Sequence, residues 1–477
     1  MYLQFIKTNN VNKIVMLGAL IFCIVSCRKF VQVGPPPTLV ITASVFNNSA
    51  AATAAQTAIY TQMVSNGESQ SMSEYSGLLS DELTNYSTNA TNLQFYTNAL
   101  NSTNNIGRWA LTYNYIYEAN AIIAALQNNN NISLVSEQQL IGESKFIRAF
   151  WYFYLVNCYG DVPLITTTNY TINAAISRTP KATVYQQIVA DLKDAIQSLN
   201  SNYVDGTDTV ITTERVRPTK GGAAALLARV YLYTSKYDSA EAYSNMLINN
   251  KLYKLCANLS GPNSVFLKNS TEAIWQLASA TTNTQDGGFY ILKAAPGTGA
   301  NNSMTISPQL LSSFEPGDHR MTSWIGMTAT TPSYPYPFKY QSNVASPITE
   351  YVMVLRLAEQ YLIRAEARAQ LGEPVGAIAD LDSIRLRAGL GVYAGGTDKA
   401  SLMAAILHER QVELFTEWGH RWFDLIRTRA IDTVMGSPGN VYIKKGGIGA
   451  WSPNWELYPI LTTQITIDPN LTQNPGY

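Results

Sequence analysis

One stretch of the chain gathers enough ionisable residues to suggest acid–base chemistry: Glu409, Arg410, Glu413, Glu417, Arg421, Asp424 and Arg427. Two carboxyl groups facing each other across an open cleft can cleave a glycosidic bond, one as acid and one as base or nucleophile. The neighbouring residues argue for another use. Met403, Leu407 and Leu414 form an apolar stripe on the same predicted helix, and Arg410 and Glu413, one turn apart, flank it. Charges drawn toward a core cost several kcal/mol unless they are paired. The set reads as a structural ion network, as do Glu143, Lys145 and Arg148, and no catalytic residue is assigned. His319, His408 and His420 are scattered, and a metal site needs three or four converging ligands, so no metal or cofactor is expected. The Glu-Pro-Gly-Asp-His-Arg segment ending at Arg320 reads as a structural turn, and His408 as a helix-surface residue. Gly287-Gly288 and Gly446-Gly447 lack the strand–loop–helix setting of a phosphate cradle and read as hinges.

The aromatic loops carry the remaining chemistry. The chain has 29 Tyr among 11% aromatic residues, more than a core alone requires. A sugar ring offers C–H groups on its faces and hydroxyls at its rim, so its capture needs flat aromatic platforms edged by amides, carboxylates or Arg. Tyr86, Phe95 and Tyr96 lie among Asn85, Asn89, Asn92 and Gln94; Phe289 and Tyr290 follow Asn283, Gln285 and Asp286; Trp324, Tyr334, Tyr336 and Tyr340 fall further on. The candidate ligand residues are Tyr86, Phe95, Tyr96, Tyr290, Trp324, Tyr334 and Tyr336. The competing role for each is packing its loop onto the scaffold.

The elements that position these residues read mainly as helices. Apolar residues recur at helical spacing over 50–65, 105–127 and 137–159, and further helices are expected near 181–200, 218–235, 237–250, 357–371, 374–388 and 399–418. Aromatics from Phe150 to Tyr154 cover every face, which predicts a buried helix, stopped by Gly160 and Pro163. Two segments look alike: Ala228 and Ala240, and Ala365 and Ala377, each twelve apart across a short turn. Small residues at that offset let antiparallel helices approach closely, as in a tetratricopeptide-like pair. The helical period fades between about 255 and 350, where one strand-like stretch runs from Ala273 to Leu277, and again over 434–477.

Residues 1–26 read as an export signal: Lys7 and Lys13, an apolar run, then Ser26 before Cys27. The Ser-Cys end resembles a bacterial lipobox, with Cys27 as the lipidation site and membrane anchor; each buried acyl CH₂ contributes about 0.8 kcal/mol. Residues 27–45 follow as a tether containing Pro35-Pro36-Pro37, then 46–255 and 256–477 as two parts of one compact unit. Zero formal net charge argues against nucleic acid as a partner. Cys158 and Cys256 imply no disulfide framework, and Cys158 reads as a buried free thiol.

Several strings together resemble the SusD/RagB family of outer-membrane nutrient-binding lipoproteins. They are Leu79-Ser80-Asp81-Glu82-Leu83, the run Gly142 to Phe150 continued by Tyr159-Gly160-Asp161-Val162-Pro163-Leu164, Arg217-Pro218-Thr219-Lys220-Gly221, Arg421-Trp422-Phe423-Asp424-Leu425, and Asn470 to Tyr477. The resemblance implies a mainly α, SusD-like fold with about four tetratricopeptide-like helix pairs and a loop-rich lobe with minor β elements. It implies a lipid-anchored protein at the outer membrane, facing the cell exterior, that binds a neutral glycan and delivers it to a SusC-like TonB-dependent transporter without catalysis. A peptide cargo, a transporter-associated scaffold and a surface glycoside hydrolase are the alternatives. Two departures stand out: Arg28, Lys29 and Gln32 follow Cys27, with no acidic residue before Glu68, and Tyr458-Pro459-Ile460-Leu461 has one proline where the family often has two.

Overall fold

In the computed structural model, residues 46–477 are described, apart from 104–107, 128, 280, 345 and 437–438. The signal, Cys27 and the tether lie outside the described residues. The scaffold is a stack of helices: α1 (Ser49–Ser65), α2 (Glu68–Leu79), α3 (Arg108–Leu126), α4 (Leu134–Tyr159), α5 (Lys181–Ser198), α6 (Lys220–Tyr233), α7 (Tyr237–Ile248), α8 (Leu357–Leu371), α9 (Pro374–Arg387), α10 (Lys399–Leu414) and α11 (His420–Arg427). Side-chain caps start several of them. Asn48 accepts from Ala51 N at 2.9 Å, Ser133 from Ser136 N at 3.1 Å, and Asp398 from Ser401 N at 3.0 Å, each satisfying an amide that the first turn leaves free.

The twelve-residue offset marks real helix pairs. Ala228 of α6 meets Ala240 of α7 in one buried cluster, and Ala365 of α8 meets Ala377 of α9 in another. Both turns close alike, with Lys236 N donating to Tyr231 O and Glu373 N to Arg368 O, each at 2.8 Å. Each also needs a left-handed residue, Ser235 (φ 56°) in one and Gly372 (φ 82°) in the other. Ile363 and Ala367 of α8 join the α6–α7 cluster, so the two pairs pack directly on each other despite their separation in sequence. Helix α4 is buried from Phe146 to Tyr159, as its aromatic run predicts.

Among the described residues, six short strands form three antiparallel pairs: β1 (Leu83–Asn85) with β3 (Met304–Ile306), β2 (Ala273–Leu277) with β6 (Val352–Arg356), and β4 (Ile325–Met327) with β5 (Pro335–Pro337). Only β2 is foreshadowed by apolar patterning. Its Trp275 seats the lobe on the scaffold, with its ring 6.0 Å from Tyr60, 4.9 Å from Phe146 and 5.5 Å from Phe150.

The expected helix 399–418 ends early, at Leu414. Thr416, Trp418 and Gly419 then adopt positive φ of 50°, 47° and 76°. Buried bonds hold this break: Trp418 N donates to Ser73 Oγ and its indole to Met353 O, both at 2.9 Å. A Cβ at Gly419 would press on Ser76, so glycine is required there.

The charged stretch is a buried network. Arg320 binds Asp318, Glu409 and Glu413; Arg356 binds Glu272, Glu413 and Glu417; Arg387 binds Glu272 and Glu413; Lys339 binds Glu417. Arg410 and Arg427 share Asp424, and Arg427 also holds Glu366. Burial alone would raise the Glu413 carboxyl, but Arg387, Arg356 and Arg320 hold it well below the usual range. Glu143, Lys145 and Arg148 pair with Arg217, Asp194 and Asp191. His408 is half-buried and bonds Ser313 O at 2.7 Å, so it ties a lobe turn to α10. Cys158 and Cys256 are both free and buried.

Candidate functional site

A cleft of about 550 Å³ opens where β1, the short helix Ala90–Tyr96, the start of Pro308–Leu311 and the helix Val441–Lys444 meet. Its lining includes Thr84, Tyr96, Gln309, Ser312, Lys444 and Lys445. That volume is in the range of small-ligand sites.

The aromatic side of the cleft follows from local geometry. Strand residues alternate faces, so Leu83 points into the core while Thr84 and Tyr86 share the outer face, with Tyr86 38% exposed. Asn89 caps the next helix, accepting from Thr91 N at 2.9 Å. Successive helix residues point about 100° apart. Phe95 therefore turns inward, 4.4 Å from Tyr75 and 5.5 Å from Tyr458, while Tyr96 faces the cleft. Burial pushes the Tyr96 phenol up, a hydrogen bond with Thr84 offsets part of that, and Tyr86 is near enough to act on it too. Tyr334, half-buried beside β5, meets Tyr86 edge to face at 5.8 Å and 89°. Tyr96 thus lines the cleft, and Tyr86 and Tyr334 pair beside it, outside the lining itself.

The floor is polar but committed. Asp81 receives two bonds from Arg421, both at 2.7 Å. Lys445 Nζ donates to Leu79 O at 2.7 Å, Ser80 O at 3.0 Å and Asn98 Oδ1 at 2.9 Å, and burial holds its ammonium well below the usual lysine range. Lys444 and Ser312 are exposed at the rim. Rings, hydroxyls, an amide and an ammonium suit an uncharged polar ligand. Among the described residues no cluster of His, Cys, Asp and Glu is arranged to hold a metal ion.

The other expected ligand residues are structural by position. Trp324 is fully buried among Phe266, Phe415 and Lys339, its indole donating to Leu259 O at 2.9 Å; it cannot stack on a ligand there. Phe95 is equally buried. Tyr290 lines a cavity of about 10 Å³, room for one water, with Asp286, Lys339 and Tyr340. Tyr336 is buried over Gly326, where any Cβ would strike its ring. The sequence reading missed Thr84, Gln309, Ser312 and Lys444. Only Lys444 carried a signal, standing before the Gly446-Gly447 hinge.

Family models for the SusD family and for the group described as starch-binding associating with outer membrane match residues 324–477 and 38–232. The chain belongs to the SusD family. SusD-like protein P38 of Formosa agariphila is 24% identical over 431 residues, covering 78% of this chain and 79% of that protein. A solved SusD superfamily protein from Bacteroides vulgatus superposes with a TM-score of 0.77 at 21% identity, covering 90% of this chain and 99% of its own. A laminarin-binding SusD-like protein superposes with a TM-score of 0.70 at 23% identity, covering 89% and 99%. The SusD-family fold accounts for the helix stack and for the irregular lobe seated on it.

Proposed function

We propose that this protein captures a neutral glycan in the cleft beside Tyr86, Tyr96 and Tyr334, and delivers it to a SusC-like TonB-dependent transporter. In this reading Cys27 carries the lipid that holds the protein on the outer membrane, facing outward. Tyr86, Tyr96 and Tyr334 are the ligand residues, with Thr84, Gln309 and Lys444 at the sugar rim. Phe95, Tyr290, Trp324 and Tyr336 support the loops behind them. The observation that carries the reading is Tyr96 on the wall of the cleft with the Tyr86–Tyr334 ring pair beside it. The name of the laminarin-binding relative points the same way. The clustered carboxylates are tied to guanidinium groups in the core, which favours a binding role over hydrolysis.

A few stacking and hydrogen-bond contacts give dissociation constants between micromolar and millimolar, about −8 to −4 kcal/mol. Such affinity suits a carrier that must release its cargo. The test is calorimetric titration of the purified protein with neutral polysaccharides, laminarin included, and with peptides. Saturable binding to one glycan class, weakened about tenfold (1.4 kcal/mol) by Tyr86→Ala or Tyr334→Ala, supports the reading. Binding of peptides alone refutes it.

A further inference from the structure

A second set of rings stands on the far side of the helix Val441–Lys444. Val441, Lys444 and Lys445 face the cleft, whereas Tyr442 turns to Trp451 and Trp455. The three rings form a triangle: Tyr442 to Trp455 is 5.4 Å, Trp451 to Trp455 is 5.7 Å at 79°, and Tyr442 to Trp451 is 6.0 Å. Fully buried Trp422 lies behind them, 6.4 Å from Trp451. Trp451 and Trp455 themselves are part exposed.

The segment carrying these rings is held in place. The Tyr442 hydroxyl donates to Ile448 O at 2.8 Å and accepts from Ile448 N at 3.0 Å, closing the loop on both sides. A Cβ at Gly447 would strike the Tyr442 ring, so the chain passes only as glycine. Asp432 accepts the Trp451 indole N–H at 2.7 Å and fixes that ring's orientation. Ser452 caps the turn Pro453–Glu456, which presents Trp455, and Tyr477 donates to Leu457 O at 2.8 Å just beyond it. Exposed Asn454 and Asp432 stand at the rim. Two indoles, costly to expose to water, are thus rigidly displayed with an amide and a carboxylate at their edge. Preorganised rings with polar rims are what sugar stacking requires.

We propose that Trp451 and Trp455 form a second carbohydrate platform that grips a further stretch of the same neutral glycan chain. The proposal rests on the glycan reading of the cleft. One short helix separates the two surfaces, a width of about 10–12 Å with side chains, so a single polymer can lie across both. Occupying one platform then raises the local concentration of the chain at the other, and the gain belongs to polymers alone.

The experiment titrates the full-length protein in detergent with laminarin, starch and xylan, and with the hexasaccharide of whichever polymer binds. Wild type should bind the polymer at least about tenfold more tightly per chain than the hexasaccharide. Trp451→Ala/Trp455→Ala should remove that margin while hexasaccharide affinity stays within about twofold. Trp451→Tyr, which keeps a ring, should retain most of it, and circular dichroism establishes that each variant is folded. Unchanged polymer affinity in a folded double variant overturns the proposal, and so does a double variant that loses only co-purification with the transporter, which would make the patch a protein contact. If wild type binds no glycan at all, the cleft reading falls first and takes this one with it. If it binds the hexasaccharide as tightly as the polymer, the second platform alone falls.

Discussion

Glu413→Gln should be among the most damaging single changes to the fold, and the reason is countable. The Glu413 carboxylate has no solvent exposure and receives Arg320 at 2.9 Å, Arg356 at 2.6 Å and Arg387. Glutamine keeps the shape and one acceptor oxygen but removes the charge that these three guanidinium groups share. Breaking a buried pair by deleting one partner costs about 3–5 kcal/mol. Unfolding entropy near 2.1 cal/mol/K per residue makes each kcal/mol worth about 1 °C in a body of this size. The midpoint should therefore fall by about 3–5 °C in calorimetry. The matching control is Asp194→Asn, whose carboxylate is 57% exposed beside Lys145; it should leave the midpoint within about 1 °C. Equal small shifts in both variants would refute the view that the buried network holds the lobe.

Other expectations follow from the same geometry. Burial pushes Glu74 and Glu82 to about 8 and Asp286 and Glu350 to about 7, so from about pH 4.5 up to about pH 7–8 the folded protein holds protons that the unfolded chain has already lost. Stability should fall as pH rises through that window, and a midpoint that rises instead would overturn the assignment. Glu82→Gln should flatten part of the slope. At acid pH the sign reverses: Glu413, Glu417 and Asp424 are held low by cations, and their contribution is lost as pH drops below about 4.5. Ala240→Leu should overpack the α6–α7 contact and cost about 1–3 kcal/mol in denaturant titration, against almost nothing for exposed Asp238→Ala. Trp324→Ala should destabilise the lobe by about 3–5 kcal/mol, whereas Tyr86→Ala should lower glycan affinity with the fold intact.

Much of the scaffold was legible because its signals are local. Ala228 and Ala240, or Ala365 and Ala377, meet across a turn short enough to read directly. The charged stretch declared its structural role through the apolar stripe beside it. Helix α2 was missed because its serines and short apolar run give little periodicity, although it buries nine residues. The break after Leu414 was missed because it depends on Ser73 and Met353, remote in sequence. The candidate site was half legible. Phe95 and Tyr96 are neighbours on one helix, so one of them had to turn inward. Trp324 looked like a platform in an irregular lobe, but Phe266 and Phe415 close over it from distant segments. The lining from Gln309 and Ser312 had no composition to announce it.

The pairing of β2 with β6 has a consequence for how this protein can diverge. Leu277 lies opposite Val352, so residues 278–351 leave the scaffold and return to it through one narrow neck. On either side of that insertion, α7 and α8 already touch. The neck is braced by Trp275 and by Leu357 N donating to Glu272 O at 2.9 Å, and the inserted stretch is tied back to the scaffold by Arg320 on Glu409 and Glu413 and by Lys339 on Glu417. Insertions, deletions and exchanges in the exposed turn before Tyr334 can reshape the surface around the Tyr86–Tyr334 pair while leaving the helix register untouched. Change confined to the exposed turns, away from Arg320 and Lys339, leaves both the ion network and the helix stack in place.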